Sequence, residues 1–251
     1  GWLSSLQTML MKREDVELGI AFSLDGEDEK VIEKGVTYYP LRFPKHSWKE
    51  KTQVFICSAN TLIVNERKRI PLYEEIIRKP LENFKPDIIM VFGSEMPFGL
   101  VAGITDIPVI LHIQGILNPY LNAYLPPFVS WKEYTSIGNG LKSWLHKRIE
   151  RKIWMVSCAR ETEICKRVMN YFGRTDWDYR VTQILHPGAN YLFASEVLRP
   201  VFYQPMERAL PDKLTIVTTI SSPLYKGYDL VLKTAKMLSE KGVFFEWKCY
   251  G

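Results

Sequence analysis

The sequence predicts an α/β fold built on a parallel sheet, and three observations carry that expectation. Short apolar runs of strand length alternate with longer stretches at helical spacing. Glycine closes the clearest runs: Gly93 follows Ile88-Ile89-Met90-Val91-Phe92, and Gly115 follows the run from Pro108 to Ile113 by one residue. The intervals between runs are long enough for the crossovers that parallel strands require.

The elements follow in order. Leu3, Leu6, Met9 and Leu10 at helical spacing predict a first helix, and Val16 to Phe22 a strand. Leu72, Ile76, Ile77, Leu81 and Phe84 make a helical stripe that Pro80 interrupts. Lys85-Pro86-Asp87 introduces the strand at 88–92, and the runs at 108–113 and Ile153-Trp154-Met155-Val156-Ser157 repeat the pattern. Glu161 to Phe172 reads as a helix capped by Gly173, and His186-Pro187-Gly188-Ala189-Asn190 as a turn. Residues 1–185 therefore read as one domain, a parallel sheet with helices on both faces. Prolines at 187, 200, 205 and 211 break every periodic pattern, so 186–212 reads as an interdomain connection. Strand, helix and strand are then expected at 214–220, 228–240 and 243–250. Three elements cannot cover both faces of a sheet, so 213–251 reads as the start of a second domain.

Composition narrows the function classes. The 251 residues, 46% hydrophobic and 24% charged, supply a sizeable core. No run approaches the ~18 to 20 apolar residues of a membrane span, and Gly1-Trp2-Leu3-Ser4 lacks a signal-peptide pattern. The four cysteines, at 57, 158, 165 and 249, are spaced too widely for paired metal ligands. They argue against a disulfide scaffold or zinc module and for reduced thiols in a cytoplasmic compartment. The net charge of +5 is concentrated. Between Trp131 and Arg160 seven basic residues stand against Glu133 and Glu150, a segment that suits an anionic partner or a solvated helix face.

Open parallel sheets bind ligands beyond the carboxyl ends of their strands, which directs attention to the residues that follow each run. Glu95 is suited to bind a hydroxyl, to act as acid or base, or to cap a helix. His112 and Gln114, two apart, share one face of a strand, with Gly115 after them; a histidine there is either a cleft residue or a hydrogen-bonded structural one. Arg174 and Asp178 form an ion pair or present a phosphate contact and a hydroxyl acceptor. Lys226-Gly227 sits at a strand-to-helix turn, where backbone N–H groups and an ammonium suit a diphosphate.

Taken in order, these pieces resemble the retaining GT-B glycosyltransferases of glycosyltransferase family 4, particularly enzymes of bacterial capsular and surface polysaccharide synthesis. The resemblance covers most of the chain. Gly1-Trp2 is similar to the glycine-rich turn before the family's first helix, and Lys85-Pro86-Asp87-Ile88-Ile89 and Pro108 to Gly115 to its successive strand ends. Met155-Val156-Ser157 resembles its "V-S" strand, Pro187-Gly188-Ala189-Asn190 its "N-G-V-D" turn, and Lys226-Gly227-Tyr228-Asp229-Leu230 its "K-G-x-D-x-L" helix start. Gly173-Arg174-Thr175-Asp176-Trp177-Asp178, with Glu196-Val197-Leu198-Arg199 downstream, is similar to a subgroup signature. Where the family commonly ends a strand in "H-G", this chain has Gln114-Gly115.

The resemblance implies two Rossmann-like domains, an acceptor-side domain over 1–185 and the start of a nucleotide-sugar-binding domain over 213–251. It implies transfer of a sugar, with retention, from a nucleotide-sugar to a saccharide or lipid-linked acceptor, with the nucleotide-sugar as co-substrate and no metal. The implied catalytic residues are His112 and Glu95. Gly1, Trp2, Gln114, Gly115, Arg174 and Asp178 would bind substrate, and Lys226 and Gly227 the donor phosphate. Glu95, His112, Gln114 and Arg174 are expected to line the cleft between the domains. The family's acidic "E-x7-E" region does not occur before Gly251, so the chain alone is expected to be inactive. A cytoplasmic enzyme is implied, peripheral on the inner face of the cytoplasmic membrane. There the helix expected at about 140–153 sets Leu141, Trp144, Leu145, Ile149 and Ile153 against Lys142, Lys147, Arg148, Arg151 and Lys152. The alternative is a non-enzymatic α/β ligand-binding module. Nucleic acid is the least favoured partner, since aromatics are not interleaved with the basic residues.

Overall fold

The computed structural model describes residues 2–24, 29–44, 48–138, 140–205, 212–221 and 224–251, the side chains of residues 2 and 48–51 excepted. They form two compact units, one of residues 1–119 and 148–203, the other of residues 120–147 and 204–251.

The first unit begins with α1 (Trp2–Leu10), then β1 (Leu18–Ser23), β2 (Val31–Glu33) and β3 (Val36–Leu41). β3 is central in this three-stranded sheet, parallel to β1 and antiparallel to β2. After α2 (Trp48–Ile56) comes α3 (Ala59–Phe84), whose N-cap Ser58 accepts a hydrogen bond from Thr61 N at 3.2 Å. α3 runs through Pro71 and Pro80 without ending at either. Each proline removes an intrahelical hydrogen bond, at a cost of about 3 kcal/mol. Burying Leu62, Ile70, Tyr73 and Ile77 along one stripe, at about 1.5 to 3 kcal/mol per side chain, outweighs that loss, so the break expected at Pro80 is absent.

Four parallel strands make the second sheet of this unit, in sequence order: β4 (Ile89–Phe92), β5 (Val109–His112), β6 (Asn170–Gly173) and β7 (Asn190–Phe193). Register aligns Val91, Leu111, Tyr171 and Tyr191 across one face. That face meets Ile70, Tyr73 and Ile77 of α3, Leu100 and Val101 of the 3-10 turn Pro97–Gly103, and Ile164 in the main core. Strands laid down in order with right-handed crossovers put their connections on one side. Accordingly Met90 and Leu192 on the other face remain exposed, and cover is less even than a sheet with helices on both faces implies.

Between β5 and β6 lie α4 (Leu117–Asn122), α5 (Trp131–Ser136) and α6 (Leu141–Cys165). α6 corrects two expectations. The run Ile153-Trp154-Met155-Val156-Ser157, including the "V-S" motif, is the middle of this 25-residue helix rather than a strand. Its buried residues Cys158, Glu161, Ile164 and Cys165 keep helical phase, which extends the helix straight through the apolar run. The next strand is β6, so Gly173 ends a strand instead of capping a helix. A Cβ at Gly173 would stand 2.5 Å from Tyr191 Oη, and the close approach of that ring explains the glycine. α7 (Asp176–Leu185) and the turn at Pro187 and Gly188 lead into β7, which lies within the stretch read as a connection and pairs with β6.

In the second unit β8 (Leu214–Thr219), α8 (Tyr228–Glu240) and β9 (Phe245–Tyr250) form a parallel βαβ element, with β8 and β9 as a separate two-stranded sheet. Tyr124 stacks on Trp131 with ring centroids 5.2 Å apart, and Tyr225 stacks on Tyr120 at 5.0 Å. No helix among the described residues is long and apolar enough to cross a membrane.

Candidate functional site

The carboxyl ends of β4, β5 and β6 bring together Glu95, His112, Gln114, Gly115, Arg174 and Asp178 in the first unit. Gly93, at φ +78°, turns the chain after β4 in a conformation that favours glycine. Glu95 folds its carboxyl back over this turn: a Cβ at Gly93 would lie 2.1 Å from Glu95 Oε2 and 3.6 Å from Gln114 Cβ. Glu95 as a residue is exposed, but its carboxyl end is crowded against protein. Burial of that end raises its pKa above the ordinary carboxyl value, and the neighbouring Glu161 acts in the same direction.

His112 is 4% exposed, its ring between Phe92 and Phe172 at centroid distances of 5.7 and 6.2 Å. The Gln114 amide lies 2.7 Å from Nδ1 and, in this orientation, donates to it, leaving the ring proton on Nε2. Burial lowers the pKa of His112, while Glu196 opposes that effect and Arg174 adds to it. A hydrogen bond with the Ala194 backbone links the ring to the end of β7. The result is a neutral imidazole held by polar partners at both edges.

Arg174 and Asp178 do not pair with each other through their side chains. Arg174 pairs with Glu196 just beyond β7. Asp178 is the third residue of α7, where its carboxylate accepts from Arg174 N at 2.9 Å and Thr175 N at 3.2 Å while Thr175 Oγ1 accepts from Asp178 N. This capping box buries Asp178 and commits it to shaping the loop after β6. Gly1 and the side chain of Trp2 lie outside the described residues.

Beneath these groups is a buried polar network that sequence reasoning missed. Glu161 of α6 is 0% exposed. Its carboxylate accepts from Ser94 Oγ after β4, from Leu117 N and Asn118 N at 2.8 Å each, and from Asn118 Nδ2 at 2.7 Å. One side chain thereby ties the β4 loop to the start of α4, where the exposed ends of backbone N–H groups favour an anion. The preceding residue, Arg160, donates to Glu66 of α3 at 2.5 Å and to the Glu95 carbonyl at 2.6 Å. Tyr73 donates to Glu66 at 3.3 Å; burial first, and Glu66 next, push its phenol up to about 12. The available signal was helical phase: Glu161 falls among Cys158, Ile164 and Cys165, all on the buried stripe.

Lys226 and Gly227 lie in the second unit. A depression of about 420 Å³ is lined there by the end of β8, Lys226, Val231 and Tyr250. Gly227 adopts φ +81° and provides the N-cap of α8, so the turn needs its freedom from a Cβ. The exposed Lys226 ammonium stands 5.3 Å from the Tyr225 ring centroid. Among the described residues no cluster of three or more His, Cys, Asp and Glu is placed to hold a metal ion. The chain matches no protein-family model and no curated protein.

Proposed function

We propose that this chain provides the acceptor-side domain, with the beginning of the donor-side domain, of a retaining GT-B glycosyltransferase acting in polysaccharide biosynthesis. The observation that carries the reading is the gathering of Glu95, His112, Gln114 and Arg174 at the carboxyl ends of parallel strands, the edge at which such sheets bind ligands. Glu95, with its raised pKa, receives or holds the acceptor hydroxyl's proton. His112 is a neutral donor and acceptor that orients Gln114 beside it. Arg174, aligned by Glu196, contributes positive charge, and Lys226 with the turn at Gly227 faces the donor diphosphate. The nucleotide-sugar is a co-substrate and no resident cofactor is invoked.

The acceptor side works against an anionic membrane through residues 140–153. Leu141, 77% exposed, and Ile153, 52% exposed, support this contact together with exposed Lys142, Arg148 and Arg151. Lys147 and Lys152 are engaged elsewhere: Lys147 donates to the Tyr134 and Ile137 carbonyls, and Lys152 to Val54 O at 2.9 Å and Cys57 O at 2.8 Å.

The test incubates the full protein with a panel of nucleotide-sugars and with saccharide or lipid-linked acceptors, and follows nucleoside diphosphate release and product anomeric configuration by NMR. Transfer with retention, lowered about 10²-fold or more by Glu95→Gln, is expected. Inversion overturns the proposal, and nucleotide-sugar binding without transfer leaves the binding-module reading in its place.

A further inference from the structure

A second depression, of about 230 Å³, lies in the first unit between the end of β3 and the C-terminal half of α3. We propose that it binds a phosphate monoester, either on a small apolar-faced body such as a sugar or as a lipid headgroup. The proposal goes beyond the glycosyltransferase reading and does not depend on it.

The lining divides into an apolar floor and a cationic rim. Buried Tyr39 and half-buried Ile76 contribute to the floor, and Lys30, Arg42, Lys79 and Asn83 stand exposed around it. Among the described residues no aspartate or glutamate lines the depression. Elsewhere in the same unit the basic side chains of Arg160, Arg167 and Arg174 are each matched to a carboxylate, on Glu66, Glu74 and Glu196. Arg42 and Lys79 have no carboxylate partner among the described residues, although Glu75 and Glu82 share α3 with Lys79. Three cations around one small hollow repel one another, and a bound dianion converts that repulsion into attraction.

Asn83 supplies direction. Its Oδ1 accepts from Tyr39 Oη at 2.8 Å and from Lys30 Nζ at 3.2 Å, which fixes the amide across a sequence separation of 53 residues. Nδ2 is then a donor with no acceptor among the described residues. An oriented amide N–H, a guanidinium fork and two ammonium groups match the several acceptor oxygens of a phosphate monoester. The volume falls below the ~300 Å³ at which drug-sized pockets begin, so the attached body is small or lies partly outside.

Calorimetry on the chain with glucose 6-phosphate, glucose and inorganic phosphate tests the site. Sedimentation with phosphatidylcholine vesicles, with and without phosphatidic acid, distinguishes the headgroup source. Glucose 6-phosphate is expected to bind, inorganic phosphate more weakly, and glucose not at all. Arg42→Gln combined with Lys79→Gln, both at exposed positions, should weaken binding by about tenfold or more while circular dichroism stays unchanged. Binding confined to phosphatidic acid vesicles and lost in the double variant assigns the site to the headgroup. No binding of either phosphate monoester, or binding that the double variant leaves intact, overturns the proposal. Binding abolished by Lys226→Gln alone also overturns it and moves the anion to the turn before α8. No nucleotide-sugar enters these assays, so their failure is distinct from failure of the transfer reaction.

Discussion

Replacing Glu161 by glutamine tests how firmly the strand-end loops are tied together. The carboxylate has Ser94 Oγ and Leu117 N at Oε1, and both Asn118 donors at Oε2. Glutamine keeps one oxygen. Its amide is best placed on the Ser94 side, because a hydroxyl can rotate to accept whereas the Leu117 N–H cannot. One buried backbone donor is then unsatisfied, at about 1 to 3 kcal/mol, and the remaining hydrogen bonds lose their charge assistance. A total near 3 kcal/mol follows, and Glu161→Ala should exceed it by opening a cavity as well. Urea unfolding, with a slope of about 2 kcal/mol per molar, should show a midpoint lowered by roughly 1.5 M in Glu161→Gln. Hydrogen exchange supplies the local measurement: Leu117 and Asn118 amides should lose protection before Val91 and Leu111. Adding Ser94→Ala to Glu161→Gln should cost less than in the parent, since the two residues share one interaction. A midpoint within 0.3 M of the parent, with both amides still protected, would refute the assignment of Glu161 as the tie.

Burial holds the His112 pKa below its ordinary value of 6.5, so the unfolded chain takes up a proton first on acidification. Its stability contribution is present above pH 6.5 and is lost as pH falls through the lower folded value; urea midpoints at pH 7.5 and 5.5 should differ less in His112→Gln. Tyr73 acts at the other end of the scale, its contribution being present below pH 10 and lost as pH rises to about 12, a loss that Tyr73→Phe should reduce. Gly173→Ala should cost about 1 to 3 kcal/mol through collision with the Tyr191 ring, and Tyr191→Ala should relieve that collision, read as non-additive melting. Lys152→Gln should lower stability by about 1 kcal/mol, because the ammonium caps carbonyls at the end of α2, and should leave vesicle binding unchanged, in contrast to Arg148→Gln with Arg151→Gln.

Local pattern made much of this architecture readable in advance. The strands near 18–23, 89–92 and 109–112 and the βαβ element at 214–250 carry dense apolar runs bounded by turn residues, and they stand within a few residues of their expected places. β6 was hidden because Asn170-Tyr171-Phe172-Gly173 is short and opens on a polar residue, while the stronger run at 153–157 lies inside a helix. Periodicity over five residues cannot separate a strand from a buried helical turn; the phase of Cys158, Glu161 and Ile164 can. At the strand ends, proximity of Glu95, His112 and Gln114 was legible from their places at or just past the end of each run. Asp178 as a cap and Glu161 as a tie were not, since the latter depends on partners 44 and 67 residues away.

The order of β4 to β7 also bears on how the first unit assembles. Ile89 pairs with Val109, and Asn170 with Asn190, across loops of about 20 residues, whereas Ile110 must find Asn170 across about 60. Closing a loop three times longer adds about 1 kcal/mol of chain entropy, and most of it has to be met before the contacts that repay it form. The chain thus divides into two quickly formed halves, β4-β5 and β6-β7, joined late by a single strand pairing. α6 is the element that shortens the search: once helical, its 25 residues bring β6 back toward β5 as a rod instead of a coil. Substitutions that loosen α6 should therefore slow refolding more than equally destabilising ones in β7.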